Sequence, residues 1–150
     1  MKSKTKVIKP AKKATKELEK LAKSLVGPDL VKVGLPKGSN DYPDGTSVIM
    51  VGAVHEFGSP ARNIPQRSFL RATVESGRRK YRQLFKRLSK KIVDGEISKK
   101  EALGIIGLQV QSDVQGRITD GIAPDLKSRE GTPLIDTGHL RQSIIFEVED

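Results

Sequence analysis

The stretch SFLRATVESGRRKYRQLFKRLSKKIV, Ser68 to Val93, decides how this chain folds. Its positions Leu70, Val74, Gly77, Tyr81, Leu84, Leu88 and Ile92 recur at steps of 4, 3, 4, 3, 4 and 4, which is the period of one helix face and not the alternation of a strand. A helix of that extent measures roughly 39 Å at 1.5 Å per residue. Its other face must take Arg78, Arg79, Arg82, Lys86 and Lys90 into solvent. Asp94-Gly95 ends it. Directly after, Ser98-Lys99-Lys100-Glu101 has the form of a capping box, in which hydroxyl and carboxylate satisfy each other's orphan amides. Leu103, Ile106, Val110, Val114 and Ile118 follow at helical spacing, predicting a second core helix from about Lys99 to Gly121.

Toward the N-terminus the pattern weakens. Residues 1–9 hold too few apolar side chains to pack and read as a mobile basic arm, leaving 10–150 as a single α+β domain. Pro10 permits a helix start, Ala14, Leu18, Leu21 and Leu25 share one face, and Gly27-Pro28 stops the turn. Leu30 to Leu35 and Ser47 to Val54 are rich in β-branched residues and flank the turn-forming Asn40-Asp41-Tyr42-Pro43-Asp44-Gly45. They predict a hairpin with a long exposed connection.

Toward the C-terminus, residues 121–133 read as a loop with two Pro and two Gly, and Asp136 or Thr137 is placed to cap one turn through Leu140. Ser143 to Val148 predicts a final strand. The order points to an α+β fold, a small, mainly antiparallel sheet covered on one face by long amphipathic helices.

Composition sets the limits on function. The chain has 150 residues and 28 Lys+Arg against 18 Asp+Glu, a formal charge of +10. Nine lysines and two glutamates fall in residues 1–26, and Arg78 to Lys91 holds eight basic residues with no acid. Both segments suit phosphates or an acidic protein surface, and equally a solvated helix face. With no cysteine, disulfides, thiolate zinc sites and thiol catalysis are excluded, and two histidines leave little for a His-based metal centre. No apolar run has the roughly 18 residues of a membrane span, and the Lys-rich start lacks the apolar stretch of a signal peptide. The expectation is a soluble protein made in the cytoplasm, with no cofactor.

Two short patterns invite catalytic readings. His55-Glu56 begins like H-E-x-x-H, but position 59 is Ser and the other histidine is His139. Leu134-Ile135-Asp136-Thr137-Gly138 resembles the D-T-G signature of aspartic proteases, yet only twelve residues follow and no second copy is present. Asp136 reads better as a cap. No nucleophile with its base is evident, so the chain is expected not to be an enzyme.

The segment Val54-His55-Glu56-Phe57-Gly58-Ser59, followed by Asn63-Ile64-Pro65-Gln66-Arg67-Ser68-Phe69-Leu70-Arg71, resembles a pairing found in small neck and tail-completion proteins of long-tailed bacteriophages. There the form is approximately A-x-x-H/N-E-F/Y-G-T/S, a short loop, then I-P-x-R-x-F-L/M-R. A C-terminal segment similar to Pro133-Leu134-Ile135-Asp136-Thr137-Gly138-His139-Leu140-Arg141-Gln142-Ser143-Ile144 is usual in the same family. This chain departs at Gln66 and Ser68, where Ala and Pro are commoner, and in a shorter 121–133 loop. The resemblance implies a non-enzymatic virion component at the neck or tail, made in the host cytoplasm. It would join head to tail within a ring of six or twelve copies, against other neck and tail proteins and beside the channel DNA. It implies no membrane and no small-molecule substrate. The alternative from another class is a basic DNA-binding accessory protein using Lys2 to Lys23 and Arg78 to Lys91.

Residue chemistry gives these motifs a physical rationale. Gly58 permits a turn closed to larger residues, Pro65 pre-sets the approach to the long helix, and Arg67 is placed to clamp a carboxylate or carbonyl. Phe69 and Leu70 would anchor that helix on the sheet. His55, Glu56, Phe57, Gly58, Ile64, Pro65, Arg67, Phe69, Leu70, Asp136, Thr137, Gly138, Leu140 and Arg141 are thus candidates either for a fixed corner or for partner contact. Corner-building ranks ahead for Glu56, Arg67 and Phe69, and display to a neighbour for loops 37–45 and 121–132.

Overall fold

A computed structural model of the chain describes residues 12–28, 30–124, 134 and 138–149. The expected arm at 1–9, most of the 121–133 loop and the expected caps Asp136 and Thr137 lie outside the described residues. Among those described, the elements are α1 (Lys12–Leu25), β1 (Leu30–Gly34), α2 (Val48–Phe57), a 3-10 turn (Pro60–Arg62), α3 (Arg71–Val93), α4 (Lys99–Asp120), α5 (His139–Gln142) and β2 (Ile145–Glu149). The two strands pair antiparallel with Leu30 opposite Glu149 and Gly34 opposite Ile145. One face of this sheet lies on α4, which packs α3 along another of its sides. The architecture is therefore a small α+β fold with a helix-covered antiparallel sheet. No helix among the described residues is long and apolar enough to cross a membrane.

Helix α4 is central because it buries residues in two directions. Its start carries the expected capping box: the Ser98 hydroxyl accepts from the Glu101 N–H at 3.2 Å, and the Glu101 carboxylate accepts from the Ser98 N–H at 2.7 Å. Toward the sheet, Gly107 leaves room for β1 and β2, since a Cβ there would stand 2.5 Å from the Phe146 ring and 2.8 Å from a Val31 methyl. Further along, Val114 and Ile118 join Val48, Phe69, Ile122, Leu134, Leu140 and Ile144 in the buried core.

The expected hairpin is corrected. Ser47 to Val54 is not a strand but the first part of α2, so β1 pairs with the C-terminal strand and no hairpin forms. An uninterrupted apolar run carries no period to separate helix from buried strand, and packing decides: as a helix the run buries Val48, Gly52 and Glu56 one turn apart. The turn before it supplies the start, because the Asp41 carboxylate accepts from the Val48 N–H at 3.2 Å and Asp44 from the Thr46 N–H at 2.9 Å. Phe69 lies in the core with residues of α2, α4 and the α5 region, and Val33 of β1 packs against the same cluster. The apolar face of α1 is only partly covered, for Leu18 remains 63% exposed and Leu25 53%; among the described residues its main support is α3.

Candidate functional site

The motif residues assemble where α2 ends and α3 begins. Helix α2 stops at Gly58, whose φ of 77° is open to glycine and resisted by side chains. A Cβ there would also stand 3.0 Å from the Gln66 nitrogen. The chain then makes its 3-10 turn and reverses through Asn63 in the left-handed conformation, φ 53°. Ser59 and Ile64 close this reversal with two backbone hydrogen bonds of 2.9 and 3.0 Å. Returning past Pro65, the strand-like segment satisfies the carbonyls that end α2: the Arg67 N–H donates to the His55 carbonyl at 2.7 Å and the Gln66 amide to the Glu56 carbonyl at 2.9 Å.

Glu56 is the centre of the corner. Its side chain, in a residue only 5% exposed, accepts from the Ser68 hydroxyl at 2.7 Å, from the N–H groups of Phe69 and Leu70 at 2.9 Å each and of Arg71 at 3.1 Å, and from the Arg71 guanidinium at 3.4 Å. Helix α3 has no side-chain cap from its own N-cap residue, Leu70. Its orphan first-turn amides, and the positive end of its dipole, are met instead by a carboxylate carried in on another helix. Burial alone would push the Glu56 carboxyl up, but the bonds from Ser68, Leu70, Arg71 and Phe69 outweigh it and hold the group below its ordinary value. With its oxygens occupied in this way, the carboxylate is a structural anion.

The neighbouring residues fix the corner to the rest of the fold. Buried Arg67 donates from Nε to the Pro124 carbonyl at 2.8 Å, tying the loop to the segment that leaves α4. Half-buried His55 has no hydrogen-bond partner for Nδ1 among the described residues. Burial, and after it the Arg67 charge, lower its pKa below the ordinary histidine value. The third motif segment arrives through Leu140: a Cβ on Gly52 would run into the Leu35 side chain and lie 3.5 Å from Leu140 and 3.7 Å from Phe69, so α2, α5, the segment after β1 and the approach to α3 meet at that glycine. Gly138, φ 76°, opens α5. Its neighbour His139 bonds the Asn40 carbonyl at 2.7 Å and tilts against Tyr42 at 4.7 Å between ring centres.

The structure thus gathers Glu56, Gly58, Arg67, Phe69, Leu70 and Leu140 into one corner. It sets Phe57 outside, 65% exposed, with the Arg71 guanidinium 5.2 Å over its ring. Ile64 is half-buried and Pro65 exposed. Arg141 lies apart, donating to the Thr119 hydroxyl at 3.0 Å. Sequence reasoning missed Gln66 and Ser68 as functional. Both were only departures from the family form, yet both donate to Glu56.

A separate surface carries the basic residues. Arg78, Arg79, Arg82, Lys86 and Lys90 are exposed along α3, and none has an ion-pair partner among the described residues. Lys80, by contrast, is drawn to Asp113 at 2.7 Å, a carboxylate that also accepts from the Tyr81 hydroxyl at 2.8 Å and Gln109 at 3.0 Å. Burial and the Asp113 charge push the Tyr81 phenol well above its usual value. No group of three or more His, Cys, Asp or Glu able to hold a metal occurs among the described residues. No family model matches the chain, and no curated protein or solved structure matches it significantly.

Proposed function

We propose that this chain is a non-enzymatic virion protein of the neck or tail-completion class, joining head to tail as one copy in a ring. The observation that carries the reading is the convergence of all three motif segments on one packed corner: Glu56 and Gly58 from the first, Arg67 and Phe69 from the second, Leu140 from the third. Segments so far apart in sequence that resemble one family's signature are here parts of one structural unit. The chemistry of the corner agrees, since its carboxylate is saturated by donors and its arginine is clamped on a carbonyl. Such residues brace a fold; they do not present a nucleophile or a base. Virions carrying a tagged copy of this chain, imaged by electron microscopy with a gold-labelled antibody, test the proposal. Label at the head–tail junction or tail end is expected, and label absent from particles would contradict it.

A second reading, DNA binding, rests on the row of α3 cations that have no ion-pair partner among the described residues. Arg78, Arg82, Lys86 and Lys90 follow one another at i, i+4 spacing on one exposed line, flanked by Arg79. Phosphates are the natural counter-charge to such a line, and the binding would weaken steeply with salt. The two readings meet in a neck, where DNA passes through the ring.

A further inference from the structure

Neither outer edge of the sheet has a strand partner among the described residues. Among the described residues β1 and β2 pair only with each other, and the one element packed extensively against them is α4, which covers a face and not an edge. Backbone N–H and C=O groups along a free edge must bond to water or to another strand. Short strands carrying charges ordinarily discourage such pairing, so the sign of the charges matters.

Here the signs are segregated by strand. From Leu30 to Asn40, β1 and the turn after it carry Lys32 and Lys37 with no acid, whereas Gln142 to Glu149, leading into and through β2, carries Glu147 and Glu149 with no base. Lys32, Lys37 and Glu147 are exposed. Lys32 and Glu149 already bridge the two strands at 2.6 Å, and their side chains stay 58% and 41% exposed. Two β1 edges brought together would oppose cations, and two β2 edges would oppose carboxylates. Only β1 against β2 is attractive on both sides of the seam.

We propose that the free edge of β1 in one copy adds to the free edge of β2 in the next, so that copies of this chain associate head to tail through a shared sheet. A contact between unlike surfaces repeats in one direction and closes into a ring, or runs on as a filament, whereas a like-with-like contact stops at a dimer. Rotation about an axis roughly along the strands preserves strand direction, so the seam is antiparallel, as the pairing within the chain is. Leu30 and Ile145, both partly exposed on these strands, gain cover there. The proposal deepens the ring reading and rests on it for closure alone; association of the purified chain stands or fails independently of where the protein sits in a particle.

Charge exchange tests it, read by sedimentation of the purified full chain at low salt and submillimolar concentration. The parent should show concentration-dependent association. K32E/K37E alone and E147K/E149K alone should each lose it by about tenfold or more, because both edges then carry one sign. Their equimolar mixture should regain it, each copy meeting opposite charge on both sides. A fourfold exchange, K32E/K37E/E147K/E149K, also restores the internal Lys32–Glu149 pairing with its signs reversed and should associate like the parent. Melting curves establish that each variant is folded. A parent that stays monomeric, single-edge variants that associate unchanged, or folded variants whose mixture stays monomeric would each overturn the proposal.

Discussion

Five donors from Ser68, Phe69, Leu70 and Arg71 converge on the Glu56 carboxylate, and that makes its charge a stability element. Glu56→Gln keeps the shape but loses the charge and turns an NH2 group toward N–H donors. A loss of about 2–4 kcal/mol is expected from thermal melting at neutral pH. Because the folded-state pKa lies below the ordinary 4.5, the contribution is fully present above that pH and is lost as pH falls through the depressed folded value. The acid side of the stability curve should therefore be flatter in Glu56→Gln than in the parent. Gly58→Val forces a β-branched residue to φ 77° beside the Gln66 backbone, and should cost about 1–3 kcal/mol in the same assay. The turn at Gly58 and the carbonyl clamp by Arg67 were legible in the sequence because each follows from the residue's own chemistry. The capping by Glu56 was not, since its donors lie 12 to 15 residues downstream and only the folded corner brings them near.

Helices α3 and α4 were legible almost to their ends because each announces itself twice, by period and by a stop or cap. Ser98→Ala should cost about 1 kcal/mol in melting, as removal of an N-cap hydroxyl does. Helix α2 was misread because its signals conflict: β-branched composition favours a strand, while the Asp41 cap and the packing of Val48, Gly52 and Glu56 favour a helix. Tertiary contact outweighed propensity there. The strand partner was lost with it, for pairing between residues 30–34 and 145–149 is a long-range choice that no local pattern encodes.

Across the whole molecule, charge is the property that reading the sequence conveys best and packing alters least. The +10 balance is carried in part by α3 cations that have no ion-pair partner among the described residues, which suits them to a partner of opposite sign. Reversing Arg79, Arg82 and Lys86 to Glu should leave melting within about 0.5 kcal/mol of the parent, because all three are exposed. The same variant should enter particles less well and bind duplex DNA more weakly at low salt. The proposed role in joining heads to tails is tested most directly by producing virions with this chain's gene inactivated and counting assemblies by electron microscopy. Filled heads and separate tails, rejoined when the intact chain is supplied in trans, are the result predicted here. Complete, infectious particles formed without it would contradict the account.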